Sequence, residues 1–207
     1  GRVKLAYDLG IRHLQLVHYI KNTLGDFQTE PPEHNGLTGV GREVVAECNR
    51  LGILVDLAHS TPATVEGALA IAKAPMVWSH GSVTAGPLPH PGLITWRARQ
   101  LPLSVAKAIA AKDGVIGLWF LTHDVGKTVD DYAHRLLRMA DWLGDDHVAF
   151  GTDINGLGPN SLASTYAELQ GAIATWQRQG VPDRRLRRIA SDNYPRVLKA
   201  AMSARAG

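Results

Sequence analysis

Ile53-Leu54-Val55-Asp56-Leu57-Ala58-His59 is an almost wholly apolar run that ends in a histidine. Before it lies a helix-period segment, Val40–Leu51, stopped by Gly52; after it a second one, Thr64–Lys73, is entered through Thr61-Pro62. A short apolar run between two helices, with no hairpin signal, predicts a strand buried on both faces, and therefore a parallel one. The same alternation extends outward. Apolar runs stand at Ile11–Val17, Pro75–Ser79, Val115–Phe120 and His147–Thr152. Helical patterns stand at Val3–Leu9, Leu103–Lys112, Val129–Leu143 and Leu162–Gln179, with a last one after Pro182. Gly114, Gly144 and Gly180 mark further helix stops; Leu101-Pro102, and Thr128 followed by Asp131, mark starts. Repeated strand-helix units give an α/β protein, either a doubly wound sheet or a TIM-type (β/α)8 barrel. No Gly-x-Gly-x-x-Gly follows a strand, which argues against the dinucleotide-binding form of the open sheet. Five strands are readable where a closed barrel has eight. The barrel reading is therefore one domain, residues 1–207, comprising the last five or so β/α units with the N-terminal strands missing.

Composition is that of a globular chain: 207 residues, 45% hydrophobic and 20% charged. Cys48 is the only cysteine, which excludes an internal disulfide and slightly favours the cytoplasm. No apolar stretch is long enough to span a bilayer, and no signal-peptide pattern opens the chain. The mild basic excess gathers at Arg184, Arg185, Arg187, Arg188, Arg196 and Lys199, interleaved with Leu186, Ile189, Val197 and Leu198. That spacing reads as an amphipathic helix with a solvated basic face; no motif or aromatic interleaving points to nucleic acid.

The chemistry sits at the strand ends. His18, His59, His80 and Asp153 follow the runs that begin at Ile11, Ile53, Pro75 and His147. In a parallel barrel these ends meet at one rim, where active sites are built. Any one such histidine is ordinarily a satisfied structural residue. Three together with an aspartate suit zinc or a similar divalent ion. Asp153-Ile154-Asn155-Gly156 also reads as an Asx turn in which Gly156 supplies a positive φ. His13, His34, His90, His123, His134 and His147 read as surface or structural.

Several stretches, taken in order, resemble the membrane (renal) dipeptidase family, peptidase family M19. They are Gly36-Leu37-Thr38, Gly41-Arg42-Glu43-Val44-Val45, Asn49-Arg50-Leu51-Gly52 and Asp56-Leu57-Ala58-His59-Ser60. Trp78-Ser79-His80-Gly81-Ser82, Arg99-Gln100-Leu101-Pro102, Gly114-Val115-Ile116-Gly117, Gly151-Thr152-Asp153-Ile154-Asn155-Gly156 and Asp192-Asn193-Tyr194-Pro195-Arg196-Val197 continue the match. The resemblance implies a zinc-dependent dipeptidase with two zinc ions at a barrel mouth, acting on small dipeptides, with dimers frequent in the family. By position it implies His59 and His80 as ligands of the second zinc, and His18 facing the carbonyl oxygen of the substrate. Asp153 would carry the catalytic proton and Arg99 would hold the terminal carboxylate. Without the resemblance Arg99 reads as a solvated loop arginine beside Arg97. Asn155 and Phe120 are expected at the same rim. The family's His-x-Asp ligand pair and its bridging glutamate have no counterpart here, so the remaining ligands are expected upstream of residue 1 and the covered piece alone is expected to be inactive. Three other readings stay open: an amidohydrolase-like barrel with another substrate, a non-catalytic barrel scaffold, and a nucleic-acid-binding module using the basic helix.

Overall fold

A computed structural model describes residues 1–89 and 95–205. Seven strands occur among them: β1 His13–Gln15, β2 Leu54–Asp56, β3 Val77–Trp78, β4 Val83–Thr84, β5 Leu101–Pro102, β6 Val115–Leu118 and β7 Val148–Phe150. The helices are α1 Arg2–Asp8, α2 Gly39–Leu51, α3 Pro62–Leu69, α4 Leu103–Ala110, α5 Thr122–Val125, α6 Val129–Leu143, α7 Ile154–Leu157, α8 Leu169–Arg178, α9 Asp183–Arg187 and α10 Asn193–Ser203. The main sheet is parallel throughout, in the order β1-β2-β3-β6-β7, and β4 with β5 forms a separate parallel pair. All five apolar runs read from the sequence contribute strands to the main sheet.

Strand register assigns the two faces. His13 lies opposite Leu54, Gln15 opposite Asp56, Asp56 opposite Val77, Val77 opposite Val115, and Gly117 opposite Ala149. Alternation places all of these on one face. Leu54, Val77, Val115 and Ala149 there form an apolar cluster with Val197 and Ala201 of α10. Asp56 and Gly117 stand one pleat further toward the C-terminal ends. The opposite face, with Val55, Trp78, Ile116, Leu118 and Val148, joins the large core under the helices.

Most helix boundaries follow their local signals. Thr38 and Thr61 cap α2 and α3, Thr128 and Asp131 form a capping box at α6, and Gly52 ends α2 at φ 74°. Three readings need correction. Leu162–Gln179 is helical only from Leu169, after a 3-10 turn at Tyr166–Glu168. The left-handed residue after α4 is Asp113 (φ 59°), not Gly114; a Cβ on Gly114 would run into Ile109 and the Met76 carbonyl, so that glycine serves close approach. The basic segment is not one solvated helix, since a π turn at Arg188–Asp192 separates α9 from α10. Arg185 pairs with Asp141 (2.5 Å), Arg188 with Asp146, and Arg196 donates to the Asp113 and Asp146 carbonyls. Only Arg184, Arg187 and Lys199 of that cluster point freely to solvent.

Candidate active site

Asp56 organises the mouth of the sheet. Its side chain is buried, and Oδ1 accepts from the Ala58 N–H (2.9 Å) and the Ser79 N–H (3.0 Å). One carboxylate thus ties the turn after β2 to the turn after β3, and so sets His59 relative to His80. Its Oδ2 faces His13 Nε2 at 3.2 Å, and His13 Nδ1 meets the Tyr194 hydroxyl at 2.8 Å. Burial pushes the Asp56 carboxyl up, but its hydrogen bonds and the charge of His13 outweigh that and hold it below the ordinary carboxylate range. His13 is half-buried, its side chain 30% exposed, and it links the buried Asp56 to the exposed Tyr194 at the surface.

Two glycines make room for this arrangement. A Cβ on either Gly117 or Gly151 would run into the Ser79 carbonyl oxygen, so the chain entering His80 passes between them at backbone distance. His59 itself is held at φ 71° and Asp153 at φ 52°. Left-handed backbone is costly for residues other than glycine, and such strain gathers at functional sites. Asp153, not Gly156, takes the positive φ in its turn; a Cβ on Gly156 would collide with the Asp153 carboxylate.

The predicted residues converge. His59 Nε2 and His80 Nε2 lie 3.0 Å apart, and His80 Nδ1 is 2.8 Å from Ser79 Oγ. The His18 ring centroid is 4.2 Å from that of His59, and the nearest Asp153 oxygen is 4.0 Å from His80 Nε2. Burial first, then the positive charge of Arg99, holds the His59 imidazole well below the usual histidine value. Burial likewise lowers His80, with Asp153 opposing it. Burial thus disfavours the charged imidazolium on both rings, and the neutral imidazole is the form that ligates metal. Their Nε2 atoms face each other closely enough to be two ligands of one ion. No group of three or more metal-ligating side chains occurs among the described residues, so the pair falls short of the three or four protein ligands usual for zinc.

Arg99 is not a solvated loop arginine: it is 2% exposed. Nη1 donates to Gln28 Oε1, whereas Nε and Nη2 are buried without a hydrogen-bond partner of normal geometry among the described residues. The guanidinium carbon lies 5.6 Å from the Trp119 ring and 5.8 Å from the Tyr19 ring, and burial lowers its pKa. Tyr19, Gln28 and Trp119 were not singled out in the sequence. Tyr19 meets the His59 ring edge-on at 4.7 Å, and only its place next to His18 marked it. Asp124 was also missed; it accepts from Trp119 Nε1 (2.8 Å), Gln100 Nε2 (3.0 Å) and Ser82. Phe120 does not line the mouth, being buried against Tyr132, while Asn155 is exposed. His123 is exposed and His90 lies outside the described residues.

A parallel α/β sheet with histidines, an aspartate and a buried arginine gathered beyond its C-terminal strand ends defines the class. All 207 residues match the family model described as membrane dipeptidase (peptidase family M19), and the chain belongs to that family. It is 30% identical over 203 residues to a dipeptidase, verJ, of Clonostachys rogersoniana, covering 96% of this chain and 50% of that protein. Among solved structures, an amidohydrolase from Pseudomonas aeruginosa superposes with a TM-score of 0.82 at 27% identity, covering 98% of this chain and 68% of that one. A metallo peptidase from Rhodobacter sphaeroides, liganded with a phosphinate mimic of the dipeptide L-Ala-D-Ala, gives 0.77 at 25%, covering 97% and 58%. The chain spans about half the length of the curated relatives it matches. No described helix is long and apolar enough to cross a membrane.

Proposed function

We propose that this chain supplies part of the active site of a zinc-dependent dipeptidase with a binuclear centre, as the last five or so units of a (β/α)8 barrel. The observation that carries the reading is the pair of imidazoles, His59 and His80, whose Nε2 atoms face each other at 3.0 Å beside Asp153 and a buried Arg99. Membership of the dipeptidase family supports it, and so does the dipeptide mimic held by the Rhodobacter relative. His59 and His80 would hold the metal, with further ligands from residues other than those described. Zinc held there would supply Lewis acidity and would lower the pKa of a water toward neutral pH.

The other residues divide the remaining work. Arg99 binds the terminal carboxylate of the dipeptide through Nε and Nη2, a fork that matches two carboxylate oxygens and that no other described group engages in a hydrogen bond of normal geometry. His18, exposed at the rim, donates to the scissile carbonyl oxygen as negative charge develops on it. Asp153 takes the proton lost by the attacking water and delivers it to the leaving amine. A second reading, hydrolysis of another amide, draws on the amidohydrolase neighbour. The buried guanidinium favours the dipeptide, whose free carboxylate would use it.

The test is metal content and dipeptide hydrolysis of the native gene product beside His59→Ala and His80→Ala. Both variants are expected to lose bound metal and to lose activity by roughly 100-fold or more. A wild-type protein that binds no metal would sink the reading.

A further inference from the structure

Gln28 stands between the two halves of this cluster. Its backbone N–H donates to the His59 carbonyl (2.8 Å), just after the Phe27–Ser60 antiparallel bridge. Its side chain is buried and reaches the other way. Oε1 accepts from Arg99 Nη1, and Nε2 donates to the Gln100 carbonyl at 3.1 Å. Arginine only donates and a carbonyl only accepts, so the orientation of this amide is fixed by chemistry. Gln28 therefore occupies one guanidinium nitrogen, while Nε and Nη2, the side-on edge, are buried beside Tyr19 with no hydrogen-bond partner of normal geometry among the described residues.

We propose that Gln28 is a positioning residue for carboxylate recognition: it selects which edge of Arg99 faces the substrate and couples that edge to the turn carrying His59. The inference rests on the dipeptidase reading above. A neutral amide is the residue suited to the task. It satisfies Nη1 and anchors to the next backbone carbonyl, yet adds no negative charge that would compete with the carboxylate of the substrate. A glutamate of the same size would form an ion pair with Arg99.

The experiment is steady-state kinetics of the metal-loaded native protein with Gln28→Ala, Gln28→Glu and Arg99→Lys, using a dipeptide and its C-terminal amide. Gln28→Ala is expected to raise KM for the free dipeptide on the order of tenfold, the loss of one hydrogen bond to a charged group, with a smaller change in kcat. Gln28→Glu, nearly isosteric, should raise KM further, and the penalty of both variants should shrink when the carboxylate is amidated. Thermal midpoints and bound metal separate this from misfolding, because a general loss of structure would depress both substrates equally. If Arg99→Lys raises KM and neither Gln28 variant does, the assignment of Gln28 is overturned while the dipeptidase reading stands. If Arg99→Lys also leaves KM unchanged, carboxylate recognition by Arg99 fails and takes the role of Gln28 with it.

Discussion

Residue by residue, the site depends on side chains held in states they would not choose in water. His59 is the clearest case, buried, strained and kept neutral. Its folded pKa is lowered from the ordinary 6.5, so the folded chain refuses a proton that the unfolded chain accepts below that pH. Stability is then fully present above about pH 6.5 and is lost progressively as the pH falls below it. Urea denaturation of the metal-free protein at about pH 7.5 and about pH 5 should show this loss, and His59→Ala should reduce it, leaving the part that His80 contributes. Identical pH dependence in the variant would show that another group is responsible. Asp153→Asn keeps the shape of the carboxylate but cannot accept the proton. It should lower kcat by roughly 10²-fold or more while bound metal stays near the wild-type level. The histidines and Asp153 were legible in the sequence because each directly follows an apolar run. Arg99 was legible only through the family resemblance, since nothing in Arg97-Ala98-Arg99 distinguishes a buried guanidinium from a solvated one. Gln28 and Tyr19 carried no local signal, because they meet Arg99 and His59 only through long-range contacts.

For the elements, local capping chemistry was the dependable guide and packing decided the rest. The Thr128–Asp131 capping box sets the start of α6 where the pattern predicts it. Thr128→Ala should therefore cost about 1 kcal/mol in chemical denaturation without touching the site. The C-terminal segment behaved differently, because its arginines meet Asp141, Asp145 and Asp146, which the chain places near them only after folding. Asn193 follows the π turn and is 2% exposed; its Nδ2 donates to the carbonyls of Asp145 (2.7 Å) and Val148 (2.8 Å). It thereby anchors α10 to the start of β7. Asn193→Ala would leave both carbonyls short of a donor inside the protein, at a cost of about 2 kcal/mol. A change in stability no larger than that of an exposed substitution would show that water replaces the amide there.

In the molecule as a whole, the parallel sheet was legible from strand and helix alternation, but what lies at its margins was not. β1 and β7 are edge strands, each paired on one side only among the described residues. The β1 margin is also apolar at the surface: Leu5, Leu9, Ile11 and Ile20 are 60%, 77%, 44% and 79% exposed, and α1 buries none of its residues. Unpaired edge N–H and C=O groups next to exposed leucine and isoleucine are a template for association with another chain. Residues 1–207 expressed alone are accordingly expected to self-associate in a concentration-dependent way, visible by light scattering after size exclusion. Replacing Leu5 and Leu9 with lysine should shift that equilibrium toward monomer, because charge at an exposed edge opposes pairing. A monomer at all concentrations would mean that α1 and the loop after β1 shield the edge in solution. Association that ignores both lysines would locate the contact at β7.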